Sequence, residues 1–247
     1  MKTNQKWLHI VMTIGILLGV YITMYYCLPQ KTGRDTERYR GQRKVVSEDV
    51  TESAAHVVVL DSGHGGIDPG KESADGTLEK YINLAIATKL QQMLEQNGVK
   101  VVMTRTDDAG LYQETDHNKK IADMKKRCEI ITQSHADLVV SIHQNSYSDT
   151  RAHGAQVFYY KHSANGKKLA QILQKNLKNG LDADNQRVEK PDTTYYMLLH
   201  TKVPTVIAEC GFLSNPQETK LLQTEEYQTK VALALYNGII EYLQAAS

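Results

Sequence analysis

The chain has 247 residues, enough for one well-buried α/β domain with some length to spare. Its 29 basic and 28 acidic side chains give a formal net charge of +1, so it carries neither the basic footprint of a nucleic-acid binder nor an acidic tail. Its 3 cysteines, Cys27, Cys128 and Cys210, make no CxxC pair and no regular spacing, which argues against a disulfide scaffold and a structural zinc knuckle.

Residues 1–7 are a short segment carrying Lys2 and Lys6. Leu8 to Leu28 is then a nearly unbroken apolar run, of the roughly 20-residue length that spans a bilayer. It is long for a signal-peptide core, no small-x-small cleavage site follows it, and Met24-Tyr25-Tyr26 is bulky before Cys27 for a lipidation box. The expectation is an uncleaved transmembrane anchor over residues 8–28, with a cleaved export signal as the alternative. Lys31, Arg34, Arg38, Arg40, Arg43 and Lys44 outnumber the lysines before the span, and that asymmetry alone would leave the remainder in the cytoplasm. Residues 29–55 are polar and charged without an apolar period, and read as a tether.

From residue 56 to 247, strand and helix signals alternate. Val57–Leu60 is a buried strand running into the glycine-rich loop Asp61-Ser62-Gly63-His64-Gly65-Gly66. Ile82, Ile86, Leu90 and Met93 make a helical stripe over Glu79–Asn97, with Thr77 as N-cap and Gly98 as stop. Val99–Thr104 reads as a strand, Ile121, Met124, Cys128 and Ile131 as one helical face, and Leu138–Ile142 as a buried strand ending at His143. Ala155–Tyr160 reads as a strand, Gly166–Leu177 as a helix, and Thr205–Ala208 as a strand ending at Glu209. A helix over Glu225–Leu243, capped by Thr224, closes the chain. The expected fold is a single α/β domain with a mostly parallel central sheet flanked by helices on both faces.

His64, Glu79, His143 and Glu209 each fall where a strand ends or a helix begins, the places from which an α/β sheet brings side chains to one crevice. Two imidazoles and a carboxylate suit a zinc ion with a fourth position left open, and a second carboxylate can take a water proton. Glu79 lies at a helix start that favours its ionised form, and Glu209 follows an apolar strand where a lone carboxylate is costly to bury. The residues by themselves leave open which glutamate is ligand and which is base, and also leave Asp61, Asp68 and Asp137 in play. Cys210 beside Glu209 admits a cysteine-nucleophile alternative with His143 as base.

Asp61–Gly66, Glu79-Lys80-Tyr81-Ile82-Asn83-Leu84, Ser141-Ile142-His143-Gln144-Asn145-Ser146 and Glu209-Cys210-Gly211-Phe212-Leu213-Ser214-Asn215 occur in that order. Together, over residues 56–245, they resemble the zinc-dependent N-acetylmuramoyl-L-alanine amidases that cut bacterial peptidoglycan. The resemblance implies Zn2+ as cofactor, metal ligands at His64, Glu79 and His143, and the catalytic glutamate at Glu209. Ser62 and Gln144 depart from the residues usual there; neither is an expected ligand or base. A short domain behind one anchor, with no wall-binding repeats, is similar to the branch that prepares spore-cortex peptidoglycan for muramic-lactam formation. The implied partner is peptidoglycan, with the domain outside the cytoplasm, no nucleic acid, and an accessory protein left open. The alternatives are a metallohydrolase of other specificity, such as a peptidase or sugar deacetylase, and an inactive tethered wall-binding protein.

Overall fold

The short apolar runs become the central strands of one six-stranded sheet in a computed structural model of the chain, which describes residues 56–245. The strands are β1 (Val57–Ser62), β2 (Lys100–Met103), β3 (Leu138–Asn145), β4 (Gln156–Tyr160), β5 (Lys190–Asp192) and β6 (Thr205–Phe212), in the order β2-β1-β3-β6-β4-β5. The first four in that order pair in parallel, whereas β4 runs antiparallel to β6 and carries β5 with it. The sheet is therefore mostly parallel, with a reversed edge. The helices are α1 (Glu79–Gln96), α2 (Lys119–Ser134), α3 (Ala164–Leu181), α4 (Tyr196–His200), α5 (Pro216–Leu222) and α6 (Glu225–Gln244).

Because successive strand residues point to opposite faces, the apolar runs feed two cores. Val58, Leu60, Leu138, Val140, Ile142, Val206 and Ala208 pack with α1, α3 and α6 in the larger one. The alternate positions Val59 and Val139 meet Ile131 of α2 and Met197 of α4, while Ile207 and Phe158 meet Leu198. Helices thus cover both faces, but unequally. Among the described residues the second face has only α2 and the five-residue α4, and Asp61, Ser141, His143 and Glu209 share the alternation of that thinly covered side.

Four helix starts are capped by a side chain: Asn118 for α2, Ser163 for α3, Asn215 for α5 and, as expected, Thr224 for α6. The expected Thr77 cap of α1 is a correction. Leu78 takes the cap position without a side-chain bond, and the Thr77 hydroxyl donates to Asp75 instead. The first amides of α1 are already satisfied, Glu79 N by Lys71 O at 2.9 Å and Lys80 N by Pro69 O at 3.2 Å. Strands β3 and β6 also run past His143 and Glu209 rather than ending there. The anchor and tether expected over residues 8–28 and 29–55 lie outside the described residues. Among the described residues no helix is long and apolar enough to cross a membrane.

Candidate active site

From β1 the chain crosses to β2 on one side and later to β3 on the other, so a crevice opens at the carboxyl ends of β1 and β3. The cleft there measures about 580 Å³ and is walled by Ile67, Tyr112, Ile121, Met124, Tyr195 and Met197, with His64, Glu79, His143 and Glu209 inside it. Ile121, on the same helical face as Met124, Cys128 and Ile131, is 48% exposed and lines this cleft.

His64, Glu79 and His143 offer one ligand atom each, all within 4.8 Å of one another. His64 Nε2 lies 3.2 Å from Glu79 Oε2 and His143 Nδ1 lies 2.9 Å from Glu79 Oε1, so one carboxylate faces both imidazoles. The rings meet edge to face with centroids 4.9 Å apart. Glu79 is only 1% exposed, and its oxygens accept from Lys71 N at 2.8 Å, Gln144 N at 3.0 Å and Asn83 Nδ2 at 3.3 Å. Burial alone would raise its pKa, but the His143 and His64 imidazoles hold the carboxyl well below the usual range. His64 Nδ1 sits 2.9 Å from Asp68 Oδ2. Burial opposes a charge on His64, yet the Asp68 and Glu79 carboxylates raise its pKa to about 9. The Glu79 carboxylate between the rings suits a divalent cation there, with Asp68 steadying His64 from its other nitrogen, and two nitrogens with one carboxylate oxygen are a zinc-type donor set.

Two glycines let these groups meet. A Cβ on Gly63 would come within 2.3 Å of the His143 ring, and one on Gly70, whose φ is +71°, within 2.6 Å of both Glu79 Oε2 and the His64 ring. His64 itself has a φ of 63°, a conformation that costs a non-glycine residue about 1–3 kcal/mol. Two buried arginines hold it there. Arg127 Nη2 donates to His64 O at 2.6 Å, and Arg105 Nη2 donates to Gly63 O at 3.0 Å. Arg127 Nη1 also donates to Asp61 Oδ1 at 2.7 Å, with both side chains 1% exposed. Burial works against the Asp61 charge, but Arg127, Ser141 and Thr104 together bring its carboxyl down to about 2. Asp61 is thus a brace under the loop, not a ligand. Breaking such a pair from one side costs about 3–5 kcal/mol.

Glu209 enters from β6, where it registers against His143 of β3. Tyr195 donates its hydroxyl to Glu209 Oε1 at 3.3 Å, while Oε2 is buried with no hydrogen-bond partner among the described residues. Burial, opposed by the His143 charge, pushes the carboxyl up to about 7, the range in which a carboxylate both takes and returns a proton.

The structure therefore brings together all four sequence-predicted residues. Asp68 steadies His64, whereas Asp137 is at the opposite end of the sheet, accepting from Val57 N at 2.8 Å. The cysteine-nucleophile alternative falls. Strand alternation turns the fully buried Cys210 into the larger core, and burial raises its thiol far above the ordinary value. Gln144 is 2% exposed and donates to Asn83 Oδ1 at 3.1 Å. Sequence reasoning missed Arg127 and Tyr195. Arg127 occupies a place in the stripe of Met124, Cys128 and Ile131, and an arginine there signals a buried acid; Tyr195 follows no pattern.

A family profile described as N-acetylmuramoyl-L-alanine amidase (Amidase_3) matches residues 58–241. The germination-specific N-acetylmuramoyl-L-alanine amidase of Bacillus subtilis (strain 168) is 36% identical over 245 residues, covering 98% of this chain and 96% of that protein. The solved structure of the CwlD amidase from Clostridioides difficile in complex with the GerS lipoprotein is 44% identical with a TM-score of 0.75, covering 77% of this chain and 99% of that one. The crystal structure of an N-acetylmuramoyl-L-alanine amidase from Clostridium difficile 630 is 32% identical with a TM-score of 0.70, covering 79% and 100% respectively. A match of this extent, spanning the cleft and everything that lines it, means that the chain belongs to the N-acetylmuramoyl-L-alanine amidase family.

Proposed function

We propose that this peptidoglycan amidase works with a zinc ion held by His64, Glu79 and His143 and with Glu209 as the proton carrier. The observation that carries the reading is the unpartnered Glu209 Oε2, buried in the same cleft as the three donor atoms. When bound, zinc supplies a positive charge that acidifies water and polarises the scissile carbonyl. The bond cut joins the lactyl group of N-acetylmuramic acid to the L-alanine of the stem peptide. Glu209 Oε2 accepts the proton of the attacking water as the carbon–oxygen bond forms. The carboxyl then returns that proton to the alanine nitrogen as the carbon–nitrogen bond breaks, so the amine leaves neutral. Glu79 stays ionised throughout, fixed by three N–H donors, and keeps both imidazoles turned toward it. The apolar wall of Ile67, Ile121 and Met124 lowers the local polarity in which these charges act.

The spore-cortex role extends this reading, supported by likeness to the germination-specific amidase of Bacillus subtilis. The lipoprotein bound by the Clostridioides difficile amidase supports a protein partner of similar kind here. An anchor over residues 8–28, with the catalytic domain on the extracytoplasmic side where peptidoglycan lies, completes the proposal. The basic residues after the span oppose that orientation, and the location of the substrate outweighs them.

Digestion of purified sacculi or cortex with the zinc-loaded protein, followed by mass analysis, tests the specificity. Free stem peptides beginning with L-alanine are expected. Acetate release, or cleavage inside the stem, would replace the amidase reading with a deacetylase or peptidase. Retention on the wall without any product would favour a binding protein.

A further inference from the structure

Tyr195 stands immediately before α4 and is fixed at three points. Its N–H donates to Asp192 Oδ1 at 2.9 Å, its ring packs edge-on against Phe158 with centroids 5.6 Å apart, and its hydroxyl donates to Glu209 Oε1 at 3.3 Å. Phe158 lies on β4, which pairs with the β6 strand that carries Glu209. The phenol is therefore held from the strand next to the carboxylate it touches. A glutamate has a broad terminal torsion and can present either oxygen. Here no other side chain among the described residues donates to Glu209, so this one bond decides which oxygen is held and which is left without a partner in the cleft. Burial, with the Glu209 charge beside it, pushes the hydroxyl well above its ordinary value, so it remains a donor.

We propose that Tyr195 is a positioning residue for proton transfer: it fixes Glu209 Oε1 so that Oε2 is the oxygen offered to the water and later to the leaving amine. The inference rests on Glu209 as the proton carrier. Tyr195→Phe keeps the ring on Phe158 and the backbone bond to Asp192, and removes only the hydroxyl. Assayed on muropeptides with the zinc-loaded full chain, it should lose about tenfold in kcat, the size of a hydrogen bond to a charged group, with KM and zinc content unchanged and the melting temperature lowered by no more than a few degrees. Made in a Glu209→Gln background, the same change should leave the residual rate unaltered, because the oxygen it orients no longer carries a proton.

An unchanged kcat in Tyr195→Phe, or a rise in KM at constant kcat, would overturn the inference. So would loss of zinc in that variant, or a further tenfold loss in the double variant. Full activity of Glu209→Gln alone would instead remove the proton carrier itself, which separates the failure of that reading from the failure of this one.

Discussion

Glu209→Gln is expected to lower the rate of stem-peptide release by about 10²–10⁴-fold, the usual contribution of a positioned general base. The amide keeps the size of the side chain and can still accept from Tyr195, so the cleft keeps its shape. What disappears is the oxygen that takes a proton. Since Glu209 belongs to none of the three donor groups, zinc content should stay at the wild-type level. The loss should fall on kcat and leave KM nearly unchanged, because the proton moves only during bond making and breaking. Steady-state kinetics on muropeptides, with metal analysis of the same sample, reads both quantities. A variant that turns over at the wild-type rate ends the assignment.

His64→Ala should remove metal and activity together. Among the described residues three donors converge, and Nε2 of His64 is one of them. Its removal leaves Glu79 with His143 and three N–H donors, enough to keep the carboxylate in place but not to close a cation site. Loss of a group that merely supports a metal ligand costs about 10–100-fold in affinity, so loss of a ligand should exceed that. Zinc titration of the variant gives the number, and near-normal affinity would contradict the ligand set. Asp68 would also lose its imidazole partner, but it stays paired with Lys120 Nζ at 3.1 Å, so the loop keeps a tie to α2.

The central strands were legible because burial on both faces leaves unbroken apolar runs, as in Val57–Leu60 and Leu138–Ile142. The alternation of strands and helices also announced a mostly parallel sheet, but not its reversed edge. Nothing in the period of Gln156–Tyr160 encodes that β4 runs against β6, and β5, the edge tripeptide Lys190-Pro191-Asp192, has no apolar pattern at all. Helix α4 was missed for a similar reason, being five residues long. The four site residues were legible as a set because each is polar at the end of an apolar run or the start of a helix. Their division into ligands and base came from resemblance to a family. Spacing carries no information on which carboxylate faces two imidazoles and which faces a phenol. Asp61 was visible but its role was not, since the arginine that neutralises it comes 66 positions later, from α2.

The most direct test of the account is a zinc-edge anomalous difference map from crystals of the protein grown with zinc. The account predicts one strong peak bonded to the His64 and His143 imidazoles and the Glu79 carboxylate, with Glu209 Oε2 beside it but outside the coordination sphere. A peak that engages Glu209 in place of Glu79, or that lies away from either histidine, would contradict it.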